Sequence, residues 1–406
     1  MKLRRASILL LIPSVLAASA HAQAPGSPPA HARRELTSLA DTNTADGYLE
    51  FGKRVLWKDP GLAAEAFHWA GRLDPMSTTA LYGERVAILA QIEGHILDYY
   101  LHTVPSRERA RVRAADSLME RVVRLDPLLH RPLEDELVAR AVMALATRNI
   151  QVQGGEPNQA ELRYWVRQSL DDASPFLAGW LAYGRGDLQS TVRLWAVALR
   201  TSPKSTYLWA ERGRAFALLQ QYDSARAHLR KAIALAEASD TAVIGYWESK
   251  APLLYTLGFI DESRGDFASA RESYQAALVE DLSYSAANVR LGLLALQQTD
   301  TALALTELDR AVAVNDADFG ALLTAGYAYA AVPQYAEAAR YLQRAATLEP
   351  YAAAVQLLTA QVLEASGDHA GAMRLYQRFL AVAPASSAGR PQAERRLAAL
   401  AAAKPD

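Results

Sequence analysis

Cysteine is absent from all 406 positions. No disulfide, thiolate nucleophile or lipid on an N-terminal cysteine can therefore form, and the fold must be stable on packing alone. HExxH and GxSxG strings are missing too, and the eight histidines are largely scattered. Those absences point away from zinc and serine hydrolases, and toward a protein that is not an enzyme and takes no cofactor. An excess of one charge is also lacking, with 43 basic side chains against 44 acidic ones. A chain so close to neutral is a poor match for nucleic acid as its main partner. Beyond the N-terminus, no apolar run reaches the roughly 20 residues that a membrane-crossing helix needs.

What is present begins with MKLRRASILLLIPSVLAASAHAQA. Three early cations (Lys2, Arg4, Arg5) precede an apolar stretch of about 15 residues, and small residues at Ala20 and Ala22 stand before Gln23. That is the layout of a cleavable secretory signal over residues 1–22. Its removal leaves 40 basic against 44 acidic side chains. Residues 23–43 open with QAPGSPPAHARR, a proline-rich and small-residue composition expected of a flexible leader. The expected location is periplasmic or secreted, in a bacterial-type envelope, with the chain soluble after cleavage.

Further along, Pro350 and Pro384 stand 34 residues apart and bracket two short amphipathic segments with SGD between them. Proline ends helices, so the interval measures one structural unit. Glycine returns at 179, 213, 258, 292 and 326, in steps of 34, 45, 34 and 34, with Ala360 in the next place. Twelve residues beyond each stands Thr191, Ala225, Ala270, Ala304, Ala338 or Ala372. Small residues at two fixed phases imply two helices crossing closely. Four and seven residues further on, pairs such as Tyr274 with Ala277 and Leu342 with Ala345 continue one apolar face of the second helix. Between the helices the chain reads RGD at 185–187 and 264–266 and SGD at 366–368. Glycine there suits a left-handed helix end, so the RGD strings read as turn punctuation rather than adhesion motifs.

These features resemble the tetratricopeptide repeat (TPR) family, whose unit is a 34-residue helix-turn-helix. The resemblance covers Asp172 to Ser386 as six units starting at Asp172, Thr206, Ala251, Ser285, Phe319 and Ala353. It implies an all-α solenoid of stacked antiparallel helix pairs forming a right-handed superhelix. Residues 44–171 are expected to be an irregular helical, degenerate TPR-like region. In it, GLAAEAFHWAGRLDP and RAADSLMERVVRLDP read as second helices, and an extended first helix runs through ALYGERVAILAQIEGHILDYYLH. Residues 172–386 hold the six repeats. Residues 387–406 supply a capping helix and tail that cover the raw apolar end of the stack.

Two further strings bear on chemistry. GYLEFGKR (Gly47 to Arg54) has phosphate-loop spacing up to its lysine, but Arg54 stands where Ser or Thr is needed and no strand precedes it. His95, Asp98 and His102 share one helical face and read as the polar side of an amphipathic helix, with nothing else placed to complete a metal site. Arg107, Arg109, Arg111 and Arg113 are spread around a helix by their spacing of two and read as a solvated surface.

The family resemblance turns first helices toward a concave surface that binds proteins or peptides. The residues it places there include Phe176, Trp180, Tyr183, Arg214, Tyr255, Phe259, Leu293 and Tyr327. The face lacks the lysines and asparagines with which some members clamp a C-terminal carboxylate, and its aromatic side chains favour an apolar or extended segment. The expected function is a non-catalytic interaction scaffold in the cell envelope, binding a partner protein or peptide in the groove. The alternatives are a substrate-holding assembly factor for envelope proteins and a metal-dependent protein centred on the N-terminal region.

Overall fold

A computed structural model describes residues 41–92, 104–152, 175–239 and 249–402. Among the described residues every regular element is helical. In chain order they are α1 (Ala45–Val55), α2 (Pro60–Leu73), α3 (Thr78–Ala90), a single 3-10 turn (Ser106–Glu108), α4 (Arg109–Leu125), α5 (Glu134–Val152), α6 (Pro175–Gly184), α7 (Leu188–Thr201), α8 (Thr206–Leu218), α9 (Tyr222–Ser239), α10 (Ala251–Ser263) and α11 (Phe267–Glu280). Then follow α12 (Ser285–Gln297), α13 (Thr301–Val314), α14 (Phe319–Ala331), α15 (Tyr335–Leu348), α16 (Ala353–Ser366), α17 (His369–Val382) and α18 (Arg390–Ala402). None is long and apolar enough to cross a membrane.

The repeated pair is built by close approach. A Cβ placed on Gly258 would stand 2.7 Å from Tyr274 Cδ1 and 3.1 Å from Ala270 O. One placed on Gly326 would stand 2.5 Å from Leu342 Cγ and 3.3 Å from Ala338 O. Glycine on the first helix thus receives the small residue twelve positions on and the large one sixteen positions on.

Five of the pairs turn through a left-handed residue. Gly186, Gly265 and Gly367 have φ of 79°, 78° and 92°, and Gln220 and Thr299 take φ of 58° and 61° at the same phase. Where an aspartate follows, it caps the next helix. Asp187, Asp266 and Asp368 accept from the backbone N–H groups of Ser190, Ser269 and Gly371 at 3.0, 3.1 and 2.8 Å. In both RGD strings the glycine supplies the turn and the aspartate supplies the cap.

The chain divides into two compact units. One comprises residues 85–123 and 127–281. Within it α6 packs on α7, α8 on α9 and α10 on α11, while α7 meets α8, α9 meets α10 and α5 lies on α6. Its core includes two clusters, one around Trp180, Trp195 and Tyr183 and one around Leu229, Ile233 and Ile260.

The other unit comprises residues 1–84, 124–126 and 282–406. Here α12 pairs with α13, α14 with α15 and α16 with α17, and α18 lies on α17. Leu397 and Leu400 of α18 pack against the shared core. The pair α1 and α2 closes around Phe67, whose ring lies so near Gly52 and Gly83 that added Cβ atoms would meet it at 2.9 and 2.6 Å. The same N-terminal segment reaches the later repeats: Asp41 Oδ2 accepts from Ala385 N at 2.7 Å, and the Trp69 ring meets Tyr351 edge-on at 5.2 Å. Arg72 Nε stands 2.7 Å from Glu349 Oε2, an ion pair without a directed hydrogen bond.

Two expectations for the N-terminal region find their place here. Gly47 to Arg54 lies inside α1, which leaves no loop for a phosphate. The extended first helix is shorter than its string suggests: α3 ends at Ala90, where Gln91 N and Ile92 N donate to Ile88 O and Leu89 O. These i to i+3 bonds tighten the last turn. The rest of that string, with His95, Asp98 and His102, falls outside the described residues.

Candidate functional site

In the unit of residues 85–123 and 127–281, helices α6, α8 and α10 are the first helices of successive pairs and contribute one shared surface. Chain from ahead of the repeats lies over part of it. Arg131 places its guanidinium 4.6 Å from the Trp180 ring centroid and 5.3 Å from that of Tyr183. His130 Nε2 is 2.7 Å from Tyr183 O, and the Tyr183 hydroxyl donates to Leu129 O at 3.3 Å. Burial pushes the Tyr183 phenol above its usual range.

Arg131 also forms a buried, charge-assisted bond to Glu211 Oε2. Glu211 in turn accepts from Arg214 Nη1 through Oε1 at 2.7 Å. One buried carboxylate therefore holds two guanidiniums, which is the arrangement that makes such a charge tolerable away from water. Removing Glu211 would leave two cations facing each other.

Beside this network opens a cavity of about 830 Å³. Phe176 and Trp180 of α6, Tyr207 and Arg214 of α8, and Pro252 and Leu253 of α10 form one wall. Arg85, Arg109, Asp116 and Arg131 come from the earlier chain. Among the described lining residues, four arginines face the space against two carboxylates, Asp116 and Glu211.

The residues expected on the first-helix face are distributed as follows. Phe176, Trp180 and Arg214 line the cavity. Trp180 is only 1% exposed, packed edge-on to Trp195 at 5.0 Å, and Tyr183 is equally covered. Tyr255 is buried against Tyr274, with ring centroids 5.6 Å apart, and Phe259 is half-buried. Leu293 and Tyr327 belong to the other unit, where both are half-buried and Leu293 packs against the core. Burial raises the Tyr327 phenol above its usual range.

Sequence reading missed Tyr207, which is 51% exposed and lies one helical turn before Ala210 and two before Arg214. Extending the stripe toward the N-terminus of α8 would have found it. Arg131 carried no comparable signal, and Arg109, expected on a solvated surface, lines the cavity while remaining exposed; only tertiary packing brings either to α6 and α8. Among the described residues no three His, Asp or Glu side chains are grouped to hold a metal.

Paired antiparallel helices, stacked on a 34-residue phase with one longer step and a glycine contact in five of the six repeat pairs, define a helical repeat array. Comparison with protein families identifies the repeat: residues 257–318 and 323–389 match one tetratricopeptide repeat model, and residues 206–239 match another. A search of curated proteins finds no match. Among solved structures, yeast Tom70 is similar at 13% identity over 88% of this chain and 89% of that one, with a TM-score of 0.44. PilF of Pseudomonas aeruginosa is similar at 20% identity over 59% and 99%, with a TM-score of 0.40. YrrB, described as a TPR protein with an unusual peptide-binding site, is similar at 17% identity over 50% and 96%, with a TM-score of 0.37.

Proposed function

We propose that this protein is a non-catalytic interaction scaffold of the cell envelope, and that a partner protein or peptide binds on the first-helix face of α6, α8 and α10. Tetratricopeptide repeats generally mediate protein–protein interaction. The observation that carries the reading for this chain is the cavity on that face, walled by Phe176, Trp180 and the half-exposed Tyr207. Aromatic side chains with a polar tip, set around a concave space, are the residues that dominate binding at interfaces.

The envelope location rests on the N-terminal layout of cations, apolar stretch and small residues. N-terminal sequencing of the protein from a cell envelope tests it. A chain starting at Gln23 supports export with cleavage, and one starting at Met1 supports an uncleaved anchor instead.

A photo-reactive side chain at Tyr207 tests the interaction in the same cells. Val197 of α7, also exposed, serves as the comparison because it sits on a second helix. A discrete adduct from position 207 that is absent from position 197 supports the reading. Equal labelling from both, or none from either, counts against it.

A further inference from the structure

The cavity has a polar bias that narrows the chemistry of its occupant. Trp180 and Arg214 both line it, and among the described residues the Trp180 indole N–H and Arg214 Nε are buried without a hydrogen-bond partner. Both orphaned groups are donors. Neither side chain has an acceptor to spare, since indole and guanidinium only donate. Burying a donor without an acceptor costs free energy, and a ligand oxygen would recover it.

Charge points the same way. Among the described lining residues Arg85, Arg109, Arg131 and Arg214 outnumber Asp116 and Glu211, and Glu211 is already engaged by Arg131 and Arg214. The wall is therefore cationic on balance, with exposed Arg109 able to steer an anion inward. The first turns of α8 and α10 also contribute to the lining, through Thr206 and Tyr207 and through Pro252 and Leu253. Their partial positive charge adds to that of the arginines.

Size and apolar content exclude a bare inorganic anion as a full occupant. A space of about 830 Å³ with Phe176, Tyr207 and Leu253 on its wall accommodates several side chains. A carboxylate alone would leave most of that apolar surface unfilled.

We propose that the cavity takes an extended acidic peptide segment, in which an Asp or Glu side chain stands beside a large apolar one. The carboxylate meets Arg214 and the Trp180 N–H, and the apolar side chain rests against Phe176, Tyr207 and Leu253. This deepens the interaction reading above and depends on it.

The test uses the full chain and a phage-displayed library of random dodecapeptides as the probe. Enriched sequences should pair acidic with large apolar residues. A synthetic peptide from that pool should bind about tenfold more tightly than its Asn or Gln isostere. Arg109→Glu should weaken the acidic peptide about fivefold or more and leave the isostere unchanged. Arg109 is exposed, so this variant keeps the fold; Arg214→Gln is read beside its thermal melt because Arg214 pairs with Glu211. Enrichment of neutral or basic peptides that still compete at Tyr207 would overturn the acidic chemistry while the interaction reading stands. A library that yields no binder removes both.

Discussion

Leu342 lies against the backbone of Gly326 so closely that a Cβ on the glycine would meet Leu342 Cγ at 2.5 Å, with Ala338 O at 3.3 Å from the same point. A crossing this tight has no room for added volume at position 338. Ala338→Leu should therefore cost about 1–3 kcal/mol through overpacking. Ala336→Leu, at an exposed position on the same helix, should stay within about 0.5 kcal/mol. Urea unfolding of the two variants beside the parent measures both. Equal losses would show that the crossing is not centred where this contact places it.

Trp180 and Tyr207 share the cavity but differ in burial, at 1% and 51% exposed. Trp180→Ala removes contacts with Trp195 and Tyr183 and uncovers Arg131, and should cost about 3–5 kcal/mol of stability. Tyr207→Ala should leave the melting temperature nearly unchanged and weaken partner binding by about 2 kcal/mol, as loss of an interfacial anchor does. Thermal unfolding measured beside partner affinity separates the two. Unchanged affinity in Tyr207→Ala would move the binding site away from the cavity.

The repeat was legible because its packing is local and periodic. Glycine, small residue and large residue recur at fixed phase, since each pair solves the same crossing in the same way. Helices α8, α10, α12, α14 and α16 begin at Thr206, Ala251, Ser285, Phe319 and Ala353, the residues at which the repeat phase starts its units.

The cavity was legible only in part. Phe176, Trp180 and Arg214 lie on a helical stripe that periodicity exposes. Arg131 is brought to Trp180 from 49 positions earlier in the chain. No local pattern encodes that encounter. Burial of Trp180 beneath a guanidinium is likewise a tertiary fact, because an aromatic on a helix face reads the same whether solvent or another segment covers it.

In the unit that contains both, α2 is tied to the turn after α15 by Arg72 and Glu349, 2.7 Å apart and both largely removed from solvent. A double-mutant cycle with Arg72→Ala and Glu349→Ala should return a coupling of about 1 kcal/mol, near the upper end for pairs that keep some solvent contact. Cycle terms come from unfolding free energies of the four proteins. Strict additivity would mean that the pair contributes nothing to holding the N-terminal helices.

Close to that ion pair, His68 Nδ1 lies 3.2 Å from Glu84 Oε1. The hydrogen bond to Glu84 raises the His68 pKa above its ordinary value, against burial and Arg72, which lower it; the charges of Glu84 and Glu349 add to the rise. A raised folded-state pKa means that protonated His68 is favoured by folding. Its contribution is fully present below the unfolded value of about 6.5 and is lost as pH rises through the higher folded value. The His68 side chain is 39% exposed, so screening limits the effect to roughly a few tenths of a kcal/mol. Unfolding midpoints of the parent and His68→Gln between about pH 5.5 and pH 8.5 should therefore converge as pH increases. A gap between the two that stays constant, or widens, on going to alkaline pH would show that the imidazolium–carboxylate contact does not stabilise the fold.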